Sequence, residues 1–161
     1  MEDYRDFYRQ LGITDDQSLQ TLSDHTTLVH HKKGEYIIRA GEPMEYVFFH
    51  LNGITKGLVL DENGEEQVIG FSKEVGDACI GAGGIGELIQ NDVQCLTEVD
   101  SLRLSVTALA EVIQNDRTVA AIYENLMRVD YDLRFNMQVV LAKMSGEEKY
   151  EWFLENYSYL S

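Results

Sequence analysis

Cysteine is scarce in this chain: Cys79 and Cys95 are the only two in 161 residues. Two widely spaced cysteines make neither a disulfide framework nor a four-thiolate zinc or iron–sulfur set. Each can serve as a redox sensor or as a small buried apolar side chain. Long apolar runs are missing too. No stretch of about 18 apolar residues occurs, so no membrane-spanning segment is expected. The opening "MEDYRDFYRQ" is charged and has no apolar signal core, which points to a cytoplasmic protein.

Positive charge is the third scarcity. There are 13 Lys and Arg against 28 Asp and Glu, a net charge of −15. Nucleic-acid binding rests on cations that neutralise phosphates. This chain by itself is therefore a poor match for DNA or RNA, and its acidity reads first as a solvated surface.

Catalytic constellations are not legible either. No serine sits in a nucleophile-elbow context. The four histidines are His25, His30, His31 and His50. His30 and His31 occupy adjacent strand positions and point to opposite faces, so they make no bidentate metal pair. "HHKKGE" lacks the His spacing of a metal-binding β-barrel enzyme, and no metal site is expected. One histidine would suffice for a haem, but nothing singles one out, and no cofactor is expected. The enzyme reading is set aside.

What is present is a change of pattern along the chain. A helix is expected over residues 2–11, ended by Gly12. Thr14 is placed to cap a second one running to about Leu22. The centre has short β-rich runs broken at Lys33-Gly34, Gly41-Glu42-Pro43 and Asn52-Gly53. In "YVFFHLNG" both strand faces are largely apolar, so that strand is expected to be covered on both sides. "GLVLDENGEEQVIGF" reads as a hairpin turning at Asp61-Glu62-Asn63-Gly64. Further strands are expected over 93–99 and 102–106. Turn signals at this spacing point to a small antiparallel barrel or roll.

From Thr107 the period becomes helical. "TALAEVIQND" reads as a short helix capped by Thr107, and a long helix is expected over 117–143. Its apolar residues Val119, Ile122, Leu126, Val129, Leu133 and Val140 keep heptad spacing, with Asn136 where one apolar residue is missing. A single polar residue in such a seam can fix register and partner number. Tyr123, Met127, Tyr131, Met137 and Leu141 form a second apolar edge. One edge can face the roll and the other a second copy, so a homodimer is expected, with Ile122, Leu126, Val129, Leu133, Asn136 and Val140 at its interface. The alternative is a helix packed only on its own roll. After Ser145 "EEKYEWFLENYSYL" starts another helix.

The densest anomaly is "GDACIGAGGIGELIQNDVQC", residues 76–95, with five of the 13 glycines and no Lys or Arg. Glycines before a short helix starting near Ile85 can bare N–H groups toward an anion. Glu87 can accept hydrogen bonds from ligand hydroxyls, or it can simply favour the first turn of that helix.

The order of these features resembles the effector domain of the Crp/Fnr family of bacterial transcription regulators. The likeness runs from about residue 19 to 157. It rests on Gly34-Glu35 before an apolar strand, Gly41 before an acidic residue, "FFHLNG" ending at Gly53, the Asp61–Gly64 hairpin and Gly76-Asp77. The resemblance implies a mainly β fold with flanking helices: an antiparallel β-roll or jelly roll of the cyclic-nucleotide-binding kind, followed by a long dimerisation helix. It implies a division into 1–116, helices plus roll, and 117–161, the dimerisation helix and a further helix. The latter would lead toward a helix-turn-helix domain absent from this chain, through which DNA would be contacted.

In cyclic-AMP-binding members the pocket carries a Gly-Glu pair for the ribose and an Arg for the cyclic phosphate. Gly86-Glu87 matches the pair in type. The Arg is missing: residues 88–102 contain no Lys or Arg, and Asp92 stands near its place. A buried phosphate facing a carboxylate without a cation is strongly disfavoured. Arg128 or Arg134 on the long helix would be the remaining sources of a cation. The expected pocket residues are Gly84, Gly86, Glu87, Gln94, Cys95 and Arg134. The expected function is effector sensing and dimerisation, with an unknown small-molecule effector other than cyclic AMP. The alternative is a regulatory protein-interaction module of the same fold without ligand.

Overall fold

The computed structural model describes residues 3–79, 85, 87–142 and 148; at residues 79, 130, 133, 134 and 136–142 only the backbone is described. Two short helices come first, α1 (Arg5–Gln10) and α2 (Asp16–Asp24). Among the described residues eight strands follow: β1 (Thr26–His31), β2 (Tyr36–Ile38), β3 (Tyr46–Asn52), β4 (Thr55–Leu60), β5 (Glu66–Ser72), β6 (Ala78–Cys79), β7 (Asp92–Cys95) and β8 (Val99–Ser105). Helices α3 (Val106–Asn115) and α4 (Arg117–Ala142) complete the described chain. No helix among the described residues is long and apolar enough to cross a membrane.

The strands form two four-stranded antiparallel sheets, ordered β1-β8-β3-β6 and β2-β7-β4-β5. This is the β-roll with flanking helices that the sequence pattern led to. The chain changes sheet twice at one corner. Gly53 and Ile54 carry β3 into β4, and residues 96–98 carry β7 into β8. The two crossings are tied by Leu96 N–H donating to the Ile54 carbonyl (2.8 Å) and Ile54 N–H donating to Thr97 Oγ1 (2.9 Å). That corner corrects the expected strands 93–99 and 102–106. The break falls at 96–98, because there the chain leaves one sheet for the other, and β8 then runs unbroken through Ser105.

The caps shift for related reasons. Asp15, not Thr14, caps α2: its carboxylate accepts from Ser18 N–H at 2.9 Å. The Ser18 hydroxyl in turn donates to Asp116 at 2.7 Å, joining α2 to the α3–α4 junction. Ser105, not Thr107, caps α3, since Ser105 still pairs with Tyr46 in the sheet and the helix begins directly after it.

The β1-β8-β3-β6 sheet has two covered faces, because its residues alternate. Val47, Phe49, Leu102 and Leu104 face the helices, where Tyr8, Leu19, Leu22, Leu109, Val112 and Val119 are buried against them. Phe49 meets Phe7 and Tyr8 edge-on, and Phe7 meets Tyr8 likewise. The Tyr8 hydroxyl donates to Thr26 Oγ1 (2.6 Å), which donates to the Leu22 carbonyl. Burial pushes the Tyr8 phenol well above its ordinary pKa. Phe48, His50, Val99 and Ser101 take the other face, between the sheets, and all are buried.

Candidate functional site

The glycine-rich segment is anchored at both ends. At its start, Gly76 N–H donates to the His50 carbonyl (2.7 Å) and His50 N–H to the Asp77 carbonyl (2.9 Å). The Asp77 carboxylate accepts from Lys73 and Glu74 N–H, closing the turn. Strand β6 then pairs Ala78 and Cys79 with Phe49 and Phe48. At its end Leu88 bridges to Pro43, Gly41 N–H donates to the Ile89 carbonyl, and Ile89 N–H donates to the Glu42 carbonyl, both at 2.8 Å. Residues 87–90 are thus not helical, which corrects the short helix expected from Ile85. The backbone groups of Ile89 are committed to the 41–42 turn and are not free for a helical ladder. Gly81, Gly83, Gly84 and Gly86 lie outside the described residues, so the cradle itself is not described.

The other expected pocket residues are scattered by strand alternation. Gln94 lies opposite Tyr36 and Lys56, whereas Cys95 lies opposite Thr55. Adjacent residues of a strand face opposite ways. Cys95 is buried inside the roll, and the Gln94 amide reaches outward to donate to the Gly34 carbonyl at 3.0 Å. The pair does not line one cavity. Glu87 is exposed, and the Arg134 side chain lies outside what is described. Arg128 is exposed and donates to Asn125 on its own helix (2.6 Å).

Asp92 does not face the pocket as an unopposed charge. Its carboxylate accepts from Ala40 N–H at 2.8 Å and sits 3.4 Å from the Arg39 Nε, whose guanidinium lies over the Tyr36 ring. The expected electrostatic penalty from Asp92 therefore falls away. The absence of a cation in residues 88–102 stands.

Two features go beyond the expected site residues. His50 is fully buried in the interior and its Nε2 donates to the Gly53 carbonyl. Arg103 also takes the interior face, directly opposite Phe48, with its guanidinium 4.3 Å from the centre of the Tyr46 ring. The alternation in "SLRLS" carried that signal, since Leu102 and Leu104 face the helices and force Arg103 inward.

The long helix divides its two apolar edges differently from the expectation. Val119 is buried, and Ile122, Tyr123, Leu126 and Met127 are half-buried against the domain's own core. A cavity of about 30 Å³ lies between α1, the sheet and α4, lined by Leu11, Phe49, Ile122, Tyr123 and Leu126 among others. Ile122 and Leu126, expected at a dimer interface, thus pack on the domain itself, because α1 ends against this part of α4. Val129, Tyr131 and Phe135 are 46%, 67% and 54% exposed, and the last two rings stack at 6.4 Å. The side chains of Leu133, Asn136 and Val140 lie outside the described residues.

A two-sheet roll with flanking helices, a glycine-rich crossing from β6 to β7 and a long helix lying against β5 define a cyclic-nucleotide-binding type of regulatory domain. The profile of the cyclic nucleotide-binding domain matches residues 28–116, more than half of the chain, and the chain belongs to that family. It is 27% identical over 128 residues to the transcriptional activator protein Anr of Pseudomonas aeruginosa, covering 79% of this chain and 52% of that protein. The chain thus spans about half the length of this curated relative. A Crp/Fnr-family protein of Eubacterium rectale superposes with a TM-score of 0.77 at 15% identity, covering 98% of this chain and 73% of that one. The sensor domain of the regulator DNR from Pseudomonas aeruginosa gives 0.61 at 17% identity, covering 89% and 97%. The resemblance to Crp/Fnr regulators therefore extends to the fold.

Proposed function

We propose that this domain senses a small-molecule effector other than cyclic AMP and dimerises through α4, as the regulatory part of a Crp/Fnr-type transcription regulator. One observation carries the ligand half: the fold keeps the glycine-rich crossing, yet residues 88–102 supply no Lys or Arg for a cyclic phosphate. The buried desolvation of a phosphate without a cation outweighs what backbone N–H groups return. The output route is α4, which lies against β5 at the roll and continues outward with exposed Val129, Tyr131 and Phe135. An effector that binds one placement of α4 better than another shifts that equilibrium and so repositions whatever the helix carries. The net charge of −15 argues that DNA contact belongs to another part of such a regulator.

The dimer seam in this reading begins at Val129 and continues through Leu133, Asn136 and Val140. Calorimetric titration with cyclic AMP tests the ligand half: micromolar or tighter binding overturns it. Sedimentation equilibrium tests the dimer half. A dimer at micromolar concentration that Val129→Asp dissociates supports it, and a monomeric wild-type chain overturns it.

A further inference from the structure

Among the described residues, four buried polar side-chain atoms lack a hydrogen-bond partner: His31 Nδ1, Ser101 Oγ, Arg103 Nε and the Tyr123 hydroxyl. The first three share one face of one sheet. Arg103 lies between Thr27 and Phe48, Ser101 between Val29 and His50, and His31 opposite Val99. Residues directly opposite one another project to the same side. That side faces the other sheet, since the alternate residues Val47, Phe49, Leu102 and Leu104 take the helix side.

Arg103 is half-buried, its Nε is the atom left without a partner, and the Tyr46 ring lies against its guanidinium. No ion pair among the described residues includes Arg103. The same row continues from Phe48 to Cys79, where the glycine-rich segment leaves the sheet. Two strand spacings put the Arg103 Cα about 10 Å from that point. Arg103 thus stands on β8, two strands from the glycine-rich crossing and not within it.

We propose that Arg103 is the anion-binding residue of this domain. It receives the oxyanion group of a small organic effector inside the roll, with Tyr46 holding the guanidinium flat and Ser101 and His31 offering further polar contacts. Phe48 and Tyr46 make the surroundings aromatic, which suits an acid on a flat apolar body. This rests on the sensor reading above and names the chemistry of its ligand. A carboxylate and a phosphate monoester both present such an oxyanion.

The test titrates the whole chain with sodium benzoate and, separately, with phenyl phosphate, at fixed ionic strength and with chloride as the control anion. The readouts are the thermal midpoint and the side-chain Nε–H signal of Arg103 by NMR. The expected result is a saturable rise in midpoint with a shift of that signal. Arg103→Gln should weaken binding about tenfold or more, the loss of a charge-assisted contact, while Tyr46→Phe retains it. Response to benzoate alone assigns a carboxylate effector, and response to phenyl phosphate alone assigns a phosphorylated one. Binding that Arg103→Gln leaves unchanged overturns the role of Arg103 while leaving a sensor domain. No response to either anion, with the Arg103 signal unmoved, overturns the proposal even if Arg103→Gln does not fold. Binding of cyclic AMP with micromolar affinity would instead strike the sensor reading on which it rests.

Discussion

Replacing Gly53 by alanine tests the corner on which the roll turns, and Gly64 provides the matched control. The two glycines have nearly the same backbone, φ +80° and +79°. A side chain in that left-handed region costs about 1–2 kcal/mol whatever its surroundings. The surroundings differ completely. A Cβ on Gly64 would meet nothing within 4 Å. A Cβ on Gly53 would lie 2.1 Å from the Glu98 carbonyl oxygen, 2.8 Å from Thr97 Oγ1 and 3.0 Å from Val99 Cγ2. The first contact is about 1 Å or more inside van der Waals distance, and it is made with backbone, which cannot rotate away. Relief requires residues 97–99 to move off Gly53. That strains the bonds from Leu96 N–H to Ile54 and from Ile54 N–H to Thr97, each worth about 1 kcal/mol. Overpacking adds about 1–3 kcal/mol. Gly64→Ala should therefore cost about 1–2 kcal/mol, and Gly53→Ala about 3–5 kcal/mol when these contributions are combined. Urea unfolding followed by circular dichroism reads both. Equal losses in the two variants would refute the packing of the corner, because the shared φ penalty would then be the whole effect.

Tyr123→Phe should leave stability unchanged or raise it by up to about 1 kcal/mol, since it removes a buried hydroxyl without a partner; a lower urea midpoint would show that the hydroxyl is bonded after all. Phe49→Ala should cost about 3–5 kcal/mol, because it deletes the ring that Phe7 and Tyr8 pack against; a loss under about 1 kcal/mol would contradict that packing. The His30 imidazole is held above its ordinary pKa of 6.5 by the Asp100 carboxylate at 2.7 Å, with Glu98 adding to it. Its contribution to stability is therefore fully present below pH 6.5 and is lost as pH rises through the raised folded value. The stability advantage of wild type over His30→Gln, measured by urea unfolding across that range, should shrink as pH increases. An advantage that grows instead would have the wrong sign for a protonated His30.

Much of the fold was legible because it is written in neighbouring residues. The hairpin at Asp61–Gly64 joins β4 and β5 as its flanking apolar runs require. The period of 3.6 placed α4 within a residue of its observed Arg117–Ala142. The doubly apolar "YVFFHLNG" became a strand covered on both sides. The site was less legible. Gln94 and Cys95 are adjacent in sequence but belong to opposite faces, which matters only once β7 is placed between β2 and β4. The heptad of α4 gave its residues one spacing, yet Ile122 and Leu126 pack on their own domain while Val129 is exposed. Period alone does not say what covers a helix face.

By itself, then, the sequence determined the elements, their order, the acidic surface and the lack of a cation in residues 88–102, because composition, turn chemistry and period are local properties. Only the tertiary structure decided which charges meet. It paired Asp92 with Arg39, some fifty residues away, and it set Arg103 beside Phe48 and Tyr46 on the inside of the roll. Those neighbours come from register between strands distant in the chain. That register is settled by the burial of whole sheet faces and not by any short stretch of residues.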